Sequence, residues 1–228
     1  MLVPFLIVAV VGYLLGSLPF GYLVARAKGV NIFEVGSKSP GATNVRRVLG
    51  NGPGNLVLFL DVLKGALAAS WALIPRFTES FLAQFRGSPN GFVFLDAPEA
   101  GYWLAIGMAG LLGALVGHSF SCFTKFRGGK SVATAAGGFI VLFPVGALIA
   151  GAVWILTAAL TRYASLASML AGVALTLAAW FLHQPPLLMG VSLLVAVFII
   201  IRHRTNIARL LAGTESKMGR KNAAPSNP

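Results

Sequence analysis

The sequence predicts an all-α, polytopic integral membrane protein with seven transmembrane helices. Three observations support this prediction. Of the 228 residues, 57% are hydrophobic and only 11% are charged, whereas a soluble domain carries about 25% charged residues. The hydrophobic residues form long uncharged stretches, and the charges are unequal, with 18 Lys and Arg against 6 Asp and Glu. This composition excludes a water-soluble enzyme, a disordered chain, collagen and a coiled coil.

The helices can be placed from the uncharged stretches, which cover 2–25, 54–75, 101–117, 131–161, 163–182 and 185–201. A spanning helix needs about 20 apolar residues, so the fourth stretch is too long for one crossing. Pro144 lies near its middle and lacks a backbone N–H. We therefore expect two helices there, 131–142 and 144–161.

The distribution of charge supports seven crossings over six. With seven, 15 of the 18 cations fall on one side of the membrane. With six, Arg162 and the six cations of the C-terminal region would move to the opposite side. Because Lys and Arg concentrate in cytoplasmic loops, the sequence predicts an external N-terminus and a cytoplasmic C-terminus.

A single membrane domain is expected over 1–216, with an external loop at 76–100 and a disordered cytoplasmic tail at 217–228. Glycines such as Gly113 and Gly117, and the small residues at 135–138, predict close packing between helices in lipid.

Polar residues concentrate in the segments predicted to be cytoplasmic. The first, 36–51, combines Gly, Ser, Thr and Asn with two arginines. Backbone N–H groups, hydroxyls and guanidinium groups together suit a phosphate site. A polar loop with helix-capping Ser and Asn fits this segment equally well.

The second segment, 117–134, contains Gly128-Gly129-Lys130-Ser131 at the predicted start of a helix, an arrangement that favours anion binding. It is not a P-loop, because Thr124 stands where that motif requires Gly. ATP binding is therefore not expected. A basic loop beside the membrane is the alternative.

The third segment, 202–216, places His203 and Asn206 three residues apart on one helical face. Cations alone would suggest a membrane anchor, but His, Asn and Glu215 suggest a binding site. Asp61 and Lys64 lie three apart inside the second span, where ionisable residues are costly. We expect them to form a structural ion pair.

Several chemistries lack their sequence signatures. No histidine is followed four residues later by Asp, the spacing that would support acyl transfer from acyl-CoA. No metal-ligand spacing occurs, and the single Cys122 excludes an internal disulfide. Two classes remain open: an enzyme acting on a phosphorylated and a lipid-soluble substrate, and a transporter for organic phosphate anions.

Taken together, the motifs resemble the bacterial acyl-phosphate-dependent glycerol-3-phosphate acyltransferases, the PlsY family. The matching segments follow the family's order: Gly16-Ser17-Leu18-Pro19-Phe20-Gly21-Tyr22, Gly41-Ala42-Thr43-Asn44, Asp61-Val62-Leu63-Lys64-Gly65, Phe126-Arg127-Gly128-Gly129-Lys130, Val132-Ala133-Thr134, Tyr163-Ala164-Ser165-Leu166 and Arg202-His203-Arg204-Thr205-Asn206-Ile207. The resemblance extends from residue 16 to about residue 216.

The resemblance implies a seven-helix enzyme of the bacterial inner membrane, with a periplasmic N-terminus and a cytoplasmic site. It would transfer an acyl group from acyl phosphate to glycerol 3-phosphate, releasing phosphate and giving lysophosphatidic acid, the first step of phospholipid synthesis. It implies no cofactor, no metal and no nucleic acid, but a soluble phosphate acyltransferase that supplies the acyl phosphate.

The resemblance also implies roles for individual residues. The catalytic residues would be Lys130, Ser165, His203 and Asn206. The residues binding substrate phosphate would be Ser37, Thr43, Asn44, Arg47, Gly128, Gly129, Lys130 and Glu215. The sequence departs from the family at one point in this set, because Lys38-Ser39 stands where members commonly have Gly-Asn.

Overall fold

The structure, a computed structural model, describes residues 2–74 and 100–219. Within these ranges the chain forms ten α-helices and no β-strand. The helices are α1 Val3–Ser17, α2 Phe20–Arg26, α3 Ala42–Leu49, α4 Asn51–Ala69, α5 Ala100–Ser119, α6 Val132–Leu142, α7 Pro144–Thr161, α8 Ala164–Phe181, α9 Pro186–Arg202 and α10 Arg204–Leu211. The predicted external loop, 76–100, lies outside the described residues except for Ala100, where α5 begins.

The prediction of two helices around Pro144 agrees with the structure. Pro144 is the first residue of α7, where a missing N–H costs nothing, and Phe143 leaves the helical region with a φ of −150°. A second proline has an effect that the sequence reasoning did not anticipate. Pro19 follows the end of α1 and divides the first apolar stretch into α1 and α2.

Five helical segments in the described ranges are long and apolar enough to cross a membrane, and a bent sixth consists of α9 and α10, which meet at 59°. The predicted number was seven, and the short helix α6 is the predicted crossing that is not long enough to be counted. Its 11 residues extend roughly 16 Å at 1.5 Å per residue, whereas the hydrocarbon core is about 30 Å thick.

Small residues let the helices approach closely, as the sequence predicts. Helix α1 packs along α5, and α4 packs along α6. A Cβ added at Gly113 or Gly117 would collide with the backbone of α1, and one added at Gly137 would collide with Val62 of α4. Backbone contact of this kind is typical of helix association in lipid.

Two apolar clusters hold the bundle together. The larger joins α5, α6, α8 and α9 through Leu111, Phe139, Leu175 and Val195. The smaller fastens the segment between α2 and α4 through Ile32, Phe33, Val45 and Val57. Helix α7, by contrast, leaves Leu148 74% and Leu160 77% exposed, as expected for a surface that faces lipid.

The polar segments meet at one end of the bundle, which we call the polar end. Lys130 stands just before α6, Ser165 lies in the first turn of α8, and Asn206 lies in α10; side-chain hydrogen bonds link all three through Glu215. The pairs α6–α7 and α8–α9 therefore each leave the polar end and return to it.

Candidate active site

A cavity of about 520 Å³ opens at the polar end and extends between the helices. Its polar part is lined by most of the predicted site residues, which are Ser37, Thr43, Asn44, Arg47, Lys130, Ser165, His203, Asn206 and Glu215. Its deeper part is lined by apolar side chains that include Phe139, Trp154, Leu175 and Val195. One continuous space thus joins a cationic region to an apolar one.

Glu215 lies at the centre of the polar part. Its Oε1 accepts hydrogen bonds from Ser165 Oγ at 2.8 Å and from Asn206 Nδ2 at 2.6 Å, and its Oε2 accepts one from Arg209 Nε at 2.7 Å. Burial would raise the pKa of Glu215, but these three hydrogen bonds hold the pKa of the carboxyl below its ordinary value. A charged carboxylate therefore fixes three side chains, one from α8 and two from α10. Arg209 was not among the predicted site residues, although it shares a helical face with Asn206.

Lys130 and Arg47 supply positive charge to this region. Lys130 Nζ donates a hydrogen bond to Asn206 Oδ1. Burial lowers the pKa of Lys130 to about 8, against the opposing effect of Glu215, and the positive charges of Arg209, Arg47 and Arg202 lower it further. Burial also lowers the pKa of Arg47, with Glu215 opposing. Several cations share one carboxylate here, so the site attracts anions.

His203 lies between α9 and α10, beyond the end of the spanning helix, and is 3% exposed. Its Nδ1 lies 2.8 Å from the carbonyl oxygen of Ile199. Burial lowers the pKa of His203 to about 4, and the charge of Lys130 contributes. The ring is therefore neutral at pH 7. With Nδ1 donating to the carbonyl, Nε2 is the acceptor.

Asn44 organises the first loop from within. Its side chain is 2% exposed; Oδ1 accepts from the N–H of Ser37 at 2.8 Å, and Nδ2 donates to the carbonyl oxygens of Val35 at 3.1 Å and Ser39 at 2.9 Å. Both amide protons are thus engaged inside the loop. These contacts make Asn44 a support for Ser37 and Ser39. Asn44 also lines the cavity, and its contact with phosphate stays a prediction.

The departure at Lys38-Ser39 lies within this loop. Lys38 is exposed, does not line the cavity, and adopts a φ of 56°, a conformation that glycine occupies at lower cost. Ser39 meets Asn44 through its backbone carbonyl, which every residue type provides. Asn44 thus holds the loop here without using the side chain of Lys38 or Ser39.

The Gly128-Gly129 turn lies behind Lys130 and does not line the cavity. The N–H of Gly129 donates to the carbonyl oxygen of His118 at 3.0 Å, and the carbonyl oxygen of Gly129 accepts from Arg202 Nη2 at 3.0 Å. Both glycines line a separate void of about 10 Å³. The N–H of Gly129 is thus engaged inside the protein, and the role of Gly128 and Gly129 in binding phosphate stays a prediction.

Asp61 and Lys64 form the ion pair that their spacing predicts. Lys64 Nζ lies 2.8 Å from Asp61 Oδ1, and both side chains are 3% exposed. Lys64 also donates to the carbonyl oxygen of Leu18 at 3.0 Å. The sequence reasoning missed His118, whose Nδ1 lies 3.6 Å from Asp61 Oδ1. Because these two residues are 57 positions apart in the sequence, no local pattern reveals the contact.

The arrangement defines a class of protein: a polytopic membrane protein with one cavity that joins a cationic polar region to an apolar region. Among the described residues, no group of three or more His, Cys, Asp or Glu side chains is placed to hold a metal ion.

Comparison with known proteins gives the particular family. The profile of the glycerol-3-phosphate acyltransferase family matches residues 6–213. The glycerol-3-phosphate acyltransferase of Rippkaea orientalis is 41% identical over 216 residues, covering 94% of this chain and 93% of the relative. That of Fusobacterium nucleatum is 41% identical over 209 residues, covering 91% and 95%. The chain belongs to the glycerol-3-phosphate acyltransferase family.

Solved structures agree with this assignment. The glycerol 3-phosphate form of PlsY (YgiH), an integral membrane glycerol 3-phosphate acyltransferase, superposes with a TM-score of 0.80 at 34% identity, covering 94% of this chain and 96% of that one. The lysophosphatidic acid form of PlsY superposes with a TM-score of 0.77 at 34% identity. The fold is thus that of a membrane acyltransferase.

Proposed function

We propose that this acyltransferase takes its acyl group from acyl phosphate. It transfers the group to glycerol 3-phosphate, gives lysophosphatidic acid and phosphate, and performs the first step of phospholipid synthesis. The observation that carries the proposal is the single cavity, in which Lys130 and Arg47 lie at the polar end and apolar side chains line the depth. An acyl phosphate has the same two parts, an anionic head and an apolar chain.

The proposed reaction is a direct attack of the glycerol hydroxyl on the acyl carbonyl carbon. Acyl phosphate is a mixed anhydride with a good leaving group, so the protein need not supply a nucleophile. Its tasks are to hold two anionic phosphates together and to stabilise the charge that develops on the carbonyl oxygen and the departing phosphate. Lys130 and Arg47 serve the second task.

Ser165, Asn206 and His203 position glycerol 3-phosphate in this proposal. Glu215 holds Ser165 and Asn206 in place through two short hydrogen bonds. Neutral His203 is able to accept the hydroxyl proton, but a pKa of about 4 makes it a weak base. Deprotonation assisted by the substrate phosphate is therefore the favoured route.

The proposal includes seven crossings of the bacterial inner membrane, with a periplasmic N-terminus and a cytoplasmic site. The return of α6–α7 to the polar end supports it, because Lys130 and Ser165 meet there through Asn206 and Glu215. In this proposal, the short α6 and the non-helical residue Phe143 together form the crossing that leads from the polar end to the start of α7. A soluble phosphate acyltransferase supplies acyl phosphate from the cytoplasm.

The donor is tested with the full-length protein purified in detergent. We expect release of phosphate and formation of lysophosphatidic acid from palmitoyl phosphate plus glycerol 3-phosphate, and none from palmitoyl-CoA or palmitoyl-acyl carrier protein. Turnover with either thioester but not with acyl phosphate would refute the proposed donor.

The role of Lys130 is tested by Lys130→Ala, which should lose about 2–4 kcal/mol of transition-state stabilisation, the range for a preorganised donor. The matched control is Lys125→Ala, an exposed cation of the same loop that does not line the cavity. Equal kinetics for the two variants would contradict the assigned role.

A transporter for organic phosphates was the alternative from the sequence. It would need polar residues along a path to both membrane faces, whereas the cavity becomes apolar away from the polar end. Uptake of glycerol 3-phosphate by proteoliposomes lacking an acyl donor would revive it.

A further inference from the structure

Three ionisable side chains are buried together at the wall of the cavity: Asp61 and Lys64 in α4, and His118 in the last turn of α5. Asp61 and His118 also line the cavity. Asp61 is 2%, Lys64 3% and His118 9% exposed. Asp61 Oδ1 contacts both partners, at 2.8 Å from Lys64 Nζ and 3.6 Å from His118 Nδ1. Buried ion pairs contribute little net stability, because desolvation offsets their attraction. Ionisable groups at such positions in membrane proteins commonly serve function.

This cluster connects the segments that surround the Gly128-Gly129 turn. Lys64 donates to the carbonyl oxygen of Leu18, at the break between α1 and α2. Beside that contact, Ser121, two residues beyond the end of α5, donates a hydrogen bond from Oγ to the carbonyl oxygen of Ser17 at 2.6 Å. The carbonyl oxygen of His118 accepts the N–H of Gly129 at 3.0 Å. The end of α5 is therefore fixed against α1, α4 and the turn.

The imidazole of His118 packs directly against the turn. A Cβ added at Gly129 would collide with His118 Nε2, and one added at Gly128 would collide with the backbone of His118 and Ser119. Neither glycine has a positive φ. Both positions thus require glycine for lack of space, and the ring of His118 is what fills the space at Gly129.

Lys130 is the next residue, and its Nζ reaches Asn206 across the cavity. Any movement of the turn moves the Lys130 backbone with it. We infer that His118, oriented by Asp61, is a positioning residue for the acyl transfer: its ring packs beneath Gly129 and thereby sets the place of Lys130 in the site. This inference rests on the proposed role of Lys130.

The test is a double-mutant cycle between His118→Ala and Gly129→Ala, with kcat and KM measured from formation of radiolabelled lysophosphatidic acid. Gly129→Ala should lower kcat/KM on the order of 100-fold, the loss typical of about 1 Å of misplacement. His118→Ala should lower it roughly 10-fold through kcat, because the interaction with Lys130 matters in the transition state. The double variant should match His118→Ala, since the smaller side chain makes room for the new methyl group. Losses that multiply would overturn the inference.

A second cycle tests whether His118 acts through Lys130. In a Lys130→Ala background, His118→Ala should change kcat/KM by less than about twofold, because the group being positioned is absent. A full 10-fold further loss would show that His118 acts in its own right, as a proton acceptor or by general stability, and would overturn the inference.

Two further variants guard against simple misfolding. His118→Asn keeps a donor toward Asp61 and should recover part of the kcat lost in His118→Ala; no recovery would contradict orientation by Asp61. Gly190→Ala adds a methyl group where nothing lies within 4 Å and should leave kcat and KM unchanged. If the wild-type protein fails to use palmitoyl phosphate, the proposed donor falls, and both cycles are then run with the donor that supports turnover.

Discussion

Lys130 shows how burial and charge act on one residue. The side chain leaves water, lies near three arginines and retains one nearby carboxylate, so the pKa falls to about 8. The ammonium form therefore still predominates at neutral pH, but the pKa lies much closer to neutral pH than that of an exposed lysine does. An anionic phosphate beside it would favour the charged form, so substrate binding and protonation of Lys130 support each other.

This residue yields a prediction about pH. The pH dependence of kcat/KM reports groups in the free enzyme, so kcat/KM of the wild-type protein should fall as pH rises through about 8, where Lys130 loses its proton. In Lys130→Arg the guanidinium stays charged, and the fall should move above pH 10 even if the overall rate is lower. The measurement is kcat/KM between pH 6 and 10; the same alkaline fall in both proteins would exclude Lys130 as its source.

Residues of the predicted site differ in how well local sequence describes them. Lys130, Ser165, Asn206 and Glu215 line the cavity as their motifs suggest. Asn44 and Gly129 share those motifs but turn their polar groups into the protein. A motif identifies the residue types that a site needs; it does not distinguish a group that contacts ligand from one that supports its neighbour.

At the scale of elements, α4 has one contact that its own sequence predicts and others that depend on neighbouring helices. The spacing of Asp61 and Lys64 along one helix predicts their pairing. The carbonyl oxygen of Leu18 and the ring of His118, which complete the cluster, come from the α1–α2 break and from α5. Only the packing of α4 against these elements brings them within reach.

The ion pair of α4 gives a prediction about stability. Lys64→Met should destabilise the protein by about 3–5 kcal/mol, because it leaves Asp61 buried without its main partner. The double variant Asp61→Leu/Lys64→Met removes both charges and should unfold at a temperature closer to that of the wild type than either single variant does. Thermal unfolding in detergent measures both; single variants that unfold at the wild-type temperature would refute the expectation.

Across the whole molecule, the C-terminal segment 212–219 closes the polar end. The N–H of Met218 donates to the carbonyl oxygen of Arg162 at 2.7 Å, and the Arg162 guanidinium donates back to the carbonyl oxygen of Met218 at 2.8 and 3.1 Å. Glu215 lies three residues before Met218 in this attached segment, and its carboxylate accepts a hydrogen bond from Ser165. Within the predicted tail, 217–228, Met218 lies against the α7–α8 turn; residues 220–228 lie outside the described residues, and the disorder of the tail stays a prediction.

This attachment is tested by Arg162→Ala. Loss of the contacts to Met218 should loosen Glu215 and the Ser165 and Asn206 side chains that it holds. We expect KM for glycerol 3-phosphate to rise about 5- to 10-fold, equivalent to about 1–1.4 kcal/mol. Arg204→Ala, which removes an exposed cation of α10, is the control and should leave KM unchanged. A similar rise in both variants would attribute the effect to net charge.

The depth of the cavity gives a prediction about the acyl chain. Gly151 of α7 lines the cavity, and a Cβ there would meet nothing within 4 Å. Gly151→Leu should therefore fill apolar space without a clash and lower kcat/KM for palmitoyl phosphate relative to octanoyl phosphate roughly 10-fold, a cost of about 1.4 kcal/mol. Gly190→Leu, equally unobstructed but outside the cavity lining, is the control. An unchanged ratio in Gly151→Leu would place the acyl chain elsewhere.

The sequence by itself determined the membrane class, the approximate positions of the long apolar helices and the break at Pro144. These follow from hydropathy, residue spacing and the missing N–H of proline, all of which act within about 20 residues. It also indicated which polar segments share one side, because the positive-inside rule depends on charge counts in short loops.

Only the tertiary structure decided how those segments meet. Glu215 reaches Ser165 across 50 positions, Lys130 reaches Asn206 across 76, and His118 occupies the space beneath Gly129. The physical reason is that such contacts depend on which helix faces approach and how closely. In lipid, that approach is set by the packing of small residues between helices, which no single segment encodes.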